Sequence, residues 1–257
     1  MSSPQGKKPT ILFVPGSFCP PFFYTSVSDA LERDGYETVI EPLLSANRAP
    51  PDPAATMYED ASILSSRIAT LCDENKDVVL VMHSYGGVVG SEASKGLSKK
   101  GREAAGKKGG ITKLIYVTAV VPEIGQSLKD VMGDLLPSHL IVEGEYMSHV
   151  IEPSAAITFS DIPLDEGVEW VKKMSLHSVR SFAEPLTYAG YMDIPSTFIF
   201  CEQDQILPLD FQRRRVQTIE RCSGHSLATL SLVAGHCPNV SRPIDLAKTI
   251  QKALVDS

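Results

Sequence analysis

The sequence predicts an α/β fold, with a mainly parallel sheet of about six strands and helices on both faces. Short apolar runs that end at Gly or Pro alternate along the chain with segments of helical periodicity, which is typical of βαβ units. The length of 257 residues suits one domain, 1–257, because a chain of this size buries most of its apolar surface without disulfides or metals.

Six segments are predicted to be strands, because each is a short apolar run of the kind that parallel sheets bury on both faces. They are TILFVPG (10–16), YETVIEPL (36–43), KDVVLVMHS (76–84), ITKLIYVTAVV (111–121), PSTFIFCEQD (195–204) and LATLSLVAGH (227–236).

Helices are predicted between and after these strands, where apolar residues recur three or four positions apart. They lie within SFCPPFFYTSVSDALERDGY (17–36), MYEDASILSSRIATLCDEN (57–75), YGGVVGSEASKGLSKK (85–100), LDFQRRRVQTIERC (209–222) and PIDLAKTIQKALVD (243–256). The Gly- and Lys-rich GREAAGKKGG (101–110) is predicted to be a flexible surface loop.

One segment, 122–190, interrupts the alternation between the fourth and fifth strands. It contains short strand-like and amphipathic helical stretches but no buried-strand run. We therefore expect a small cap insertion that covers one end of the sheet. Its His149 and His177 are expected to be surface or packing residues rather than substrate contacts.

The charge balance and the cysteines argue against several classes of function. The net charge of -7, from 24 Lys and Arg against 31 Asp and Glu, disfavours a nucleic-acid or anionic-membrane partner. The 5 cysteines include no Cys-x-x-Cys pair, which disfavours a disulfide framework or a metal site such as zinc.

The sequence also contains no recognisable membrane or export segment. No apolar run approaches the roughly 18 residues that a membrane span needs, and MSSPQGKKPT at the N-terminus lacks the apolar core of a signal peptide. We expect a cytoplasmic protein whose partner is a small-molecule substrate, and a homodimer stays open.

Polar residues follow several predicted strands, at the edge of the sheet where open α/β folds bind ligands. Ser84 stands at the carboxyl end of the third predicted strand segment, Asp204 at that of the fifth and His236 at that of the sixth. Ser–Asp–His is the chain order of the α/β-hydrolase triad. In such a triad the histidine activates the serine, and the acid holds the imidazole in the required tautomer.

VLVMHSYGGVVG (79–90) predicts a nucleophile elbow at Ser84, a sharp turn between strand and helix. The pattern is small-x-Ser-x-small, except that Met82 stands where the first glycine is usual. Gly86 and Gly87 would leave room for a strained turn. The competing interpretation is that Ser84 merely caps the helix.

Other residues compete for the acid and base positions. His225 precedes the last strand and lies at the wrong end of the sheet, so His236 is favoured. Asp204 competes with Glu202, which is closer to the strand, and with Asp210, which lies inside the next helix.

Backbone amides near Ser84 are candidates for an oxyanion hole. The first candidate is the N–H of Tyr85, which lies at the start of the helix after the elbow. The second is the N–H of Ser17, which lies in the loop after the first strand. Phe18, in the aromatic-rich SFCPPFFY (17–24), would line one wall of the substrate pocket, although these aromatic residues could equally pack in the core.

The segments ILFVPGS, VLVMHSYGG, FIFCEQD and VAGHCPNVSRP together resemble the α/β-hydrolase superfamily. They are most similar to the compact branch of plant methylesterases, hydroxynitrile lyases and their microbial relatives. The resemblance covers nearly the whole chain and extends to IEPSAAITFSDIPLDEGVEWVKKMSLHSVRSF (151–182), which is similar to the cap of that branch. It implies a serine hydrolase fold without a cofactor, with Ser84, Asp204 and His236 as the triad and Ser17 and Tyr85 as oxyanion donors.

The sequence departs from this branch at two positions. Pro15–Gly16 stands where His-Gly is usual after the first strand, which changes the pocket wall but keeps the backbone donor. Cys237 stands where the hydroxynitrile lyases carry a lysine, which weakens the lyase interpretation.

The predicted function is a serine esterase that cleaves a small or aromatic carboxylic ester, methyl ester or lactone through an acyl-enzyme on Ser84. Two alternatives remain open. The same triad could serve a C–C hydrolase, a lyase or a cyclising tailoring enzyme, or the fold could act as a non-catalytic binder of a small ligand.

Overall fold

A computed structural model describes residues 8–133 and 139–255. Its larger sheet has six strands in the order β2-β1-β3-β4-β8-β9, and every neighbouring pair is parallel. These strands are β1 Thr10–Val14, β2 Glu37–Ile40, β3 Asp77–His83, β4 Gly110–Val117, β8 Ser196–Cys201 and β9 Ala228–Leu232. The predicted six-stranded parallel sheet is therefore confirmed.

Helices cover both faces of this sheet, as predicted. Those outside the segment between β4 and β8 are α1 Thr25–Arg33, α2 Met57–Asp73, α3 Gly86–Ala93, α4 Lys99–Ala104, α8 Leu209–Ser223, α9 Pro238–Ser241 and α10 Pro243–Val255. Successive side chains of β1 belong to two separate cores: Leu12 packs with α2 and α3, and Ile11 packs with α1 and α10. Burial on both faces explains why the strand sequences are apolar throughout.

The segment between β4 and β8 carries a second, antiparallel sheet with the order β5-β6-β7. Its elements are α5 Leu128–Met132, β5 Leu140–Glu143, β6 Tyr146–His149, α6 Ile151–Thr158, α7 Leu164–Val171 and β7 His177–Ser178. Residues of 122–190, called here the insertion segment, line the same cavity as Ser84.

The structure corrects the prediction for 85–110. The single helix predicted over 85–100 ends at Ala93, and a second helix, α4, occupies part of the predicted loop 101–110. Gly96 has a φ of +72°, which interrupts the first helix, and the Ser98 hydroxyl caps the second by accepting a hydrogen bond from Gly101 N. The buried Arg102 side chain then fixes α4 by donating to Gly109 O.

Across residues 8–133 and 139–255, no helix is both long and apolar enough to cross a membrane.

Candidate active site

Ser84 lies in a sharp turn between β3 and α3, with a φ of +52°. Such a conformation is strained for a residue other than glycine and persists only where its surroundings hold it. Backbone crowds the turn: a Cβ at Gly86 would lie 2.7 Å from Pro15 O, and one at Gly87 would lie 2.6 Å from Val120 O. The two glycines thus allow the close approach that the elbow needs.

Met82, which replaces the usual first glycine of the elbow, is accommodated by a glycine further along the chain. Its side chain is fully buried against α3. A Cβ at Gly90 would lie 2.8 Å from Met82 Cγ, so any larger residue there would force the Met82 side chain to move. Sequence reasoning missed this role for Gly90, although a glycine inside a helix is a signal because it lowers helix stability.

Ser84, His236 and Asp204 form one chain of hydrogen bonds. His236 Nε2 lies 3.0 Å from Ser84 Oγ, and His236 Nδ1 lies 2.7 Å from Asp204 Oδ2. All three residues are buried. A serine next to an imidazole that a carboxylate orients is an arrangement suited to nucleophilic catalysis.

Four hydrogen bonds fix the Asp204 carboxylate. Oδ1 accepts the backbone N–H groups of Ile206 (2.7 Å) and Leu207 (2.8 Å). Oδ2 accepts the Thr118 hydroxyl as well as the His236 imidazole. The carboxylate therefore presents a fixed oxygen to His236 Nδ1.

The competing acids and the competing histidine lie elsewhere. Glu202 and His225 are exposed. Asp210 is also exposed and pairs with Arg213 at 3.0 Å. Asp204 and His236 are the residues that the structure brings to Ser84.

His83 links the loop after β1 to the backbone of His236. His83 Nε2 lies 2.7 Å from His236 O and must donate, so Nδ1 accepts from Tyr24 Oη at 2.7 Å. Tyr24 Oη in turn accepts the Gly16 N–H at 2.8 Å. Burial, together with the neighbouring His236, lowers the pKa of His83 to about 3, so the ring is neutral near pH 7.

The two amides predicted as oxyanion donors flank the elbow. Tyr85 directs its hydroxyl away to Asp60 Oδ2, at 3.0 Å. The residue therefore offers only its backbone N–H at the helix start. The N–H groups of Tyr85 and Ser17 donate to no protein acceptor within the described ranges. Ser17 also lines the cavity that contains Ser84.

The insertion segment holds the loop that contains Ser17 and Phe18. Phe18 has a φ of +62°; its N–H donates to His177 Nδ1 at 3.4 Å, and its carbonyl accepts Ser175 N–H at 3.0 Å. His177 is fully buried, and its Nε2 lies 3.1 Å from Ser181 Oγ. Desolvation, and to a lesser extent His149, lowers the pKa of His177 to about 3, which keeps its Nδ1 free to accept.

A cavity of about 610 Å³, its open mouth included, lies over Ser84 and His236. Phe18 lines it, as the sequence predicted. Its other walls are largely apolar, and they come from the strand ends and from the insertion segment: Cys19, Val120, Leu128, Met132, His139, Leu140, His149, Thr158, Met174, Phe182, Ile206, Leu207 and Cys237. A mostly apolar, concave site with a few polar groups is the usual form of a small-molecule site. No cluster of three or more metal-binding side chains occurs in 8–133 or 139–255.

Comparison with known proteins identifies similar chains. A family model described as the alpha/beta hydrolase family matches residues 11–249. A probable hydrolase, R7, of Phoma sp. is 34% identical over 244 residues, which cover 95% of this chain and 97% of that protein. The alpha/beta hydrolase nvfD of Aspergillus novofumigatus is 30% identical over 261 residues, covering 96% of each chain.

Among solved structures, polyneuridine aldehyde esterase superimposes with a TM-score of 0.76. The match covers 96% of this chain and 100% of the esterase at 18% identity, which establishes similarity of fold.

Proposed function

This chain belongs to the alpha/beta hydrolase family, as the resemblance of its motifs implied, and we propose that it is a serine hydrolase that cleaves carboxylic esters. The observation that carries the proposal is the continuous set of hydrogen bonds from Ser84 through His236 to Asp204, at the floor of an apolar cavity. The two fungal relatives with hydrolase names support hydrolysis as the reaction class.

The first half-reaction forms an acyl-enzyme on Ser84. His236 Nε2 removes the hydroxyl proton as Ser84 Oγ attacks the ester carbonyl carbon. The carbonyl oxygen becomes an oxyanion, which the N–H groups of Ser17 and Tyr85 stabilise. When the tetrahedral intermediate collapses, the ester C–O bond breaks and His236 returns the proton to the leaving alcohol.

The second half-reaction releases the acid. Water gives a proton to His236 Nε2 and attacks the acyl carbon, and a second tetrahedral intermediate expels Ser84 Oγ, which recovers the proton. Asp204 accepts the hydrogen bond from His236 Nδ1–H throughout and so holds that tautomer, which leaves Nε2 free to accept a proton in both steps.

The cavity favours a small or aromatic, uncharged ester, methyl ester or lactone. Leu128, Met132 and Met174 supply apolar walls, and no Lys or Arg lines the cavity within the described residues. Cys237, at the position of the lyase lysine, is buried and contributes no cation to the site. Ester hydrolysis is therefore favoured over cyanohydrin cleavage.

The test is hydrolysis of a panel of short-chain aryl esters, methyl esters and lactones by the wild type, Ser84→Ala and Ser26→Ala. Ser26 is exposed on α1 and serves as the matched control. We expect turnover by the wild type and by Ser26→Ala, and a loss of about 10⁴-fold or more in kcat for Ser84→Ala, because the nucleophile is removed.

Two results would contradict ester hydrolysis by Ser84. Equal turnover of the esters by Ser84→Ala would remove Ser84 from the reaction. Faster turnover of thioesters or β-diketones than of every ester would place the enzyme among the C–C hydrolases, lyases or cyclising enzymes that could use the same triad.

A further inference from the structure

Two histidines of the insertion segment line the cavity that contains Ser84. His139 directly precedes β5, and His149 ends β6 on the neighbouring strand. Val150 N donates to His139 O at 2.9 Å, which holds the two residues side by side. Their rings stack with centroids 6.1 Å apart and planes 23° from parallel. The Ser84 reaction described above uses neither side chain.

Both rings carry a buried nitrogen without a protein partner. His139 Nε2 and His149 Nε2 are shielded from solvent and form no hydrogen bond within the described residues. A buried polar atom left unpaired is costly, so proteins rarely keep one without a reason. Two such atoms on neighbouring residues of one ligand cavity indicate that a ligand supplies the missing partner.

Apolar side chains and one hydroxyl contact or accompany the two rings in the cavity wall. The Phe18 ring packs on the His149 ring at 4.3 Å, and Leu140 and Met132 line the same cavity as the two histidines. His149 Nδ1 lies 2.9 Å from Ser154 Oγ, which anchors the ring. The arrangement is an apolar subsite with a small, fixed polar end.

The two imidazoles are neutral near pH 7. Burial, and then the neighbouring His139, lowers the pKa of His149 to about 4, and burial also lowers the pKa of His139. A neutral imidazole hydrogen-bonds an uncharged oxygen and offers a carboxylate no charge attraction. If Ser154 donates to Nδ1, then Nε2 of His149 is a donor; if Ser154 accepts, then Nε2 is an acceptor. A hydroxyl group serves either tautomer.

We propose that His149, with His139 beside it, forms a specificity subsite that binds an uncharged hydroxyl group of the substrate at a distance from the cleaved ester bond. The proposal rests on the proposed ester hydrolysis and defines its substrate class. The preferred substrates are mostly apolar esters or lactones with one remote hydroxyl.

The experiment compares matched ester pairs. In one series the leaving group is always 4-nitrophenol, and the unbranched acyl chain ends either in a hydroxyl or in a methyl group, with the two chains of a pair equal in length. A second series holds the acyl group and varies the alcohol in the same way. The value of kcat/KM is measured for the wild type, His149→Phe, His139→Phe and His225→Phe, the last being an exposed histidine remote from the cavity.

In the series that reaches the subsite, we expect the wild type to prefer the hydroxyl ester by about tenfold to a hundredfold at one chain length, because the methyl ester leaves the imidazole unpaired. His149→Phe should abolish this preference while it retains or raises kcat/KM for the methyl ester. His139→Phe should reduce the preference in part, and His225→Phe should keep it. Equal values for both members of every pair in the wild type, or a preference that survives in His149→Phe, would overturn the proposal.

A binding measurement separates failure of the subsite from failure of the proposed function. Methyl ketone analogues of the same pairs, which have no ester bond to cleave, are titrated calorimetrically into the wild type and His149→Phe. If no ester is hydrolysed yet the hydroxyl ketone binds about tenfold tighter to the wild type alone, the subsite stands and ester hydrolysis fails. If the paired ketones bind equally to both proteins, the subsite is overturned whether or not esters are cleaved.

Discussion

Asp204 illustrates how single residues define the chemistry of this site. Its Oδ1 is occupied by two backbone N–H groups, and its Oδ2 faces His236 Nδ1 with Thr118 as a further donor. Every one of these neighbouring groups donates a hydrogen bond, so both carboxylate oxygens act as acceptors. An acceptor at that position selects the Nδ1–H tautomer of His236, and in the proposed mechanism this tautomer leaves Nε2 free to accept the Ser84 proton.

Asp204→Asn tests this role with almost no change in shape. The amide can donate to His236 Nδ1 and so favours the wrong imidazole tautomer, and we expect kcat to fall by about 10³- to 10⁴-fold with little change in KM. Steady-state kinetics on the best ester of the panel provide the measurement. Asp210→Asn, an exposed acid paired with Arg213, should keep the wild-type kcat. A value for Asp204→Asn within about tenfold of wild type would refute this role for Asp204.

The elbow between β3 and α3 shows that secondary-structure elements adapt to one another. A bulky Met82 stands near the end of β3 where a small residue is usual, and Gly90, about one turn into α3, gives its side chain room. The geometry of the elbow thus depends on a complementary pair rather than on one glycine.

Gly90→Ala is expected to destabilise the protein by about 1–3 kcal/mol, because the new Cβ overlaps the Met82 thioether. Met82→Ala removes the side chain that the new Cβ would overlap. In the double variant, Gly90→Ala should therefore lower the free energy of unfolding only slightly or raise it, because Ala favours the helix. Urea denaturation of the two single variants and the double variant gives the coupling free energy. Additive effects would show that Met82 and Gly90 are not coupled.

Element by element, the sequence was informative where local pattern decides the structure. The apolar runs predicted the six strands. Because Ser84, Asp204 and His236 come at the carboxyl ends of three of them, the sequence also predicted that these residues lie at one edge of the sheet. Helix α4 was missed because its Gly- and Lys-rich sequence is typical of a loop, whereas the buried Arg102 that fixes it acts through tertiary contacts.

Roles that depend on distant contacts were also missed. His177 is a buried packing residue, as one of the expectations had it, but its hydrogen bond to the backbone of Phe18, 159 positions away in sequence, was not foreseen. His83 bonds to the carbonyl of His236 across 153 positions. The residues adjacent to either histidine in the sequence do not predict such a partner.

At the scale of the whole molecule, the buried neutral histidines in and near the site make the free energy of unfolding depend on pH. Burial lowers the pKa values of His83 and His177 to about 3 and that of His149 to about 4. In the unfolded chain these groups titrate near pH 6.5. The unfolded state therefore binds more protons between about pH 4 and 6.5, and stability must rise with pH in that window.

We predict that the free energy of unfolding falls as the pH drops from about 6.5 towards 4, by up to about 4 kcal/mol per pH unit if all three histidines contribute fully. The buried Asp60, whose pKa is raised by desolvation, offsets a part of this loss. Urea denaturation across the range measures the slope. His177→Gln should lower this slope by about 1.4 kcal/mol per pH unit. His225→Gln, which replaces an exposed ring, should leave the slope unchanged. A free energy that is constant from pH 7 to 4 would refute the prediction.

The most direct test of the central claim is covalent labelling of the intact protein by a serine-directed fluorophosphonate, followed by mass spectrometric mapping of the modified residue. An assembled Ser84–His236–Asp204 site with its two backbone donors predicts a single adduct, on Ser84, that is absent in Ser84→Ala and much slower in Asp204→Asn. A folded wild-type protein that takes up no label, or takes it up at another residue, would contradict the account and favour a non-catalytic binder of small ligands.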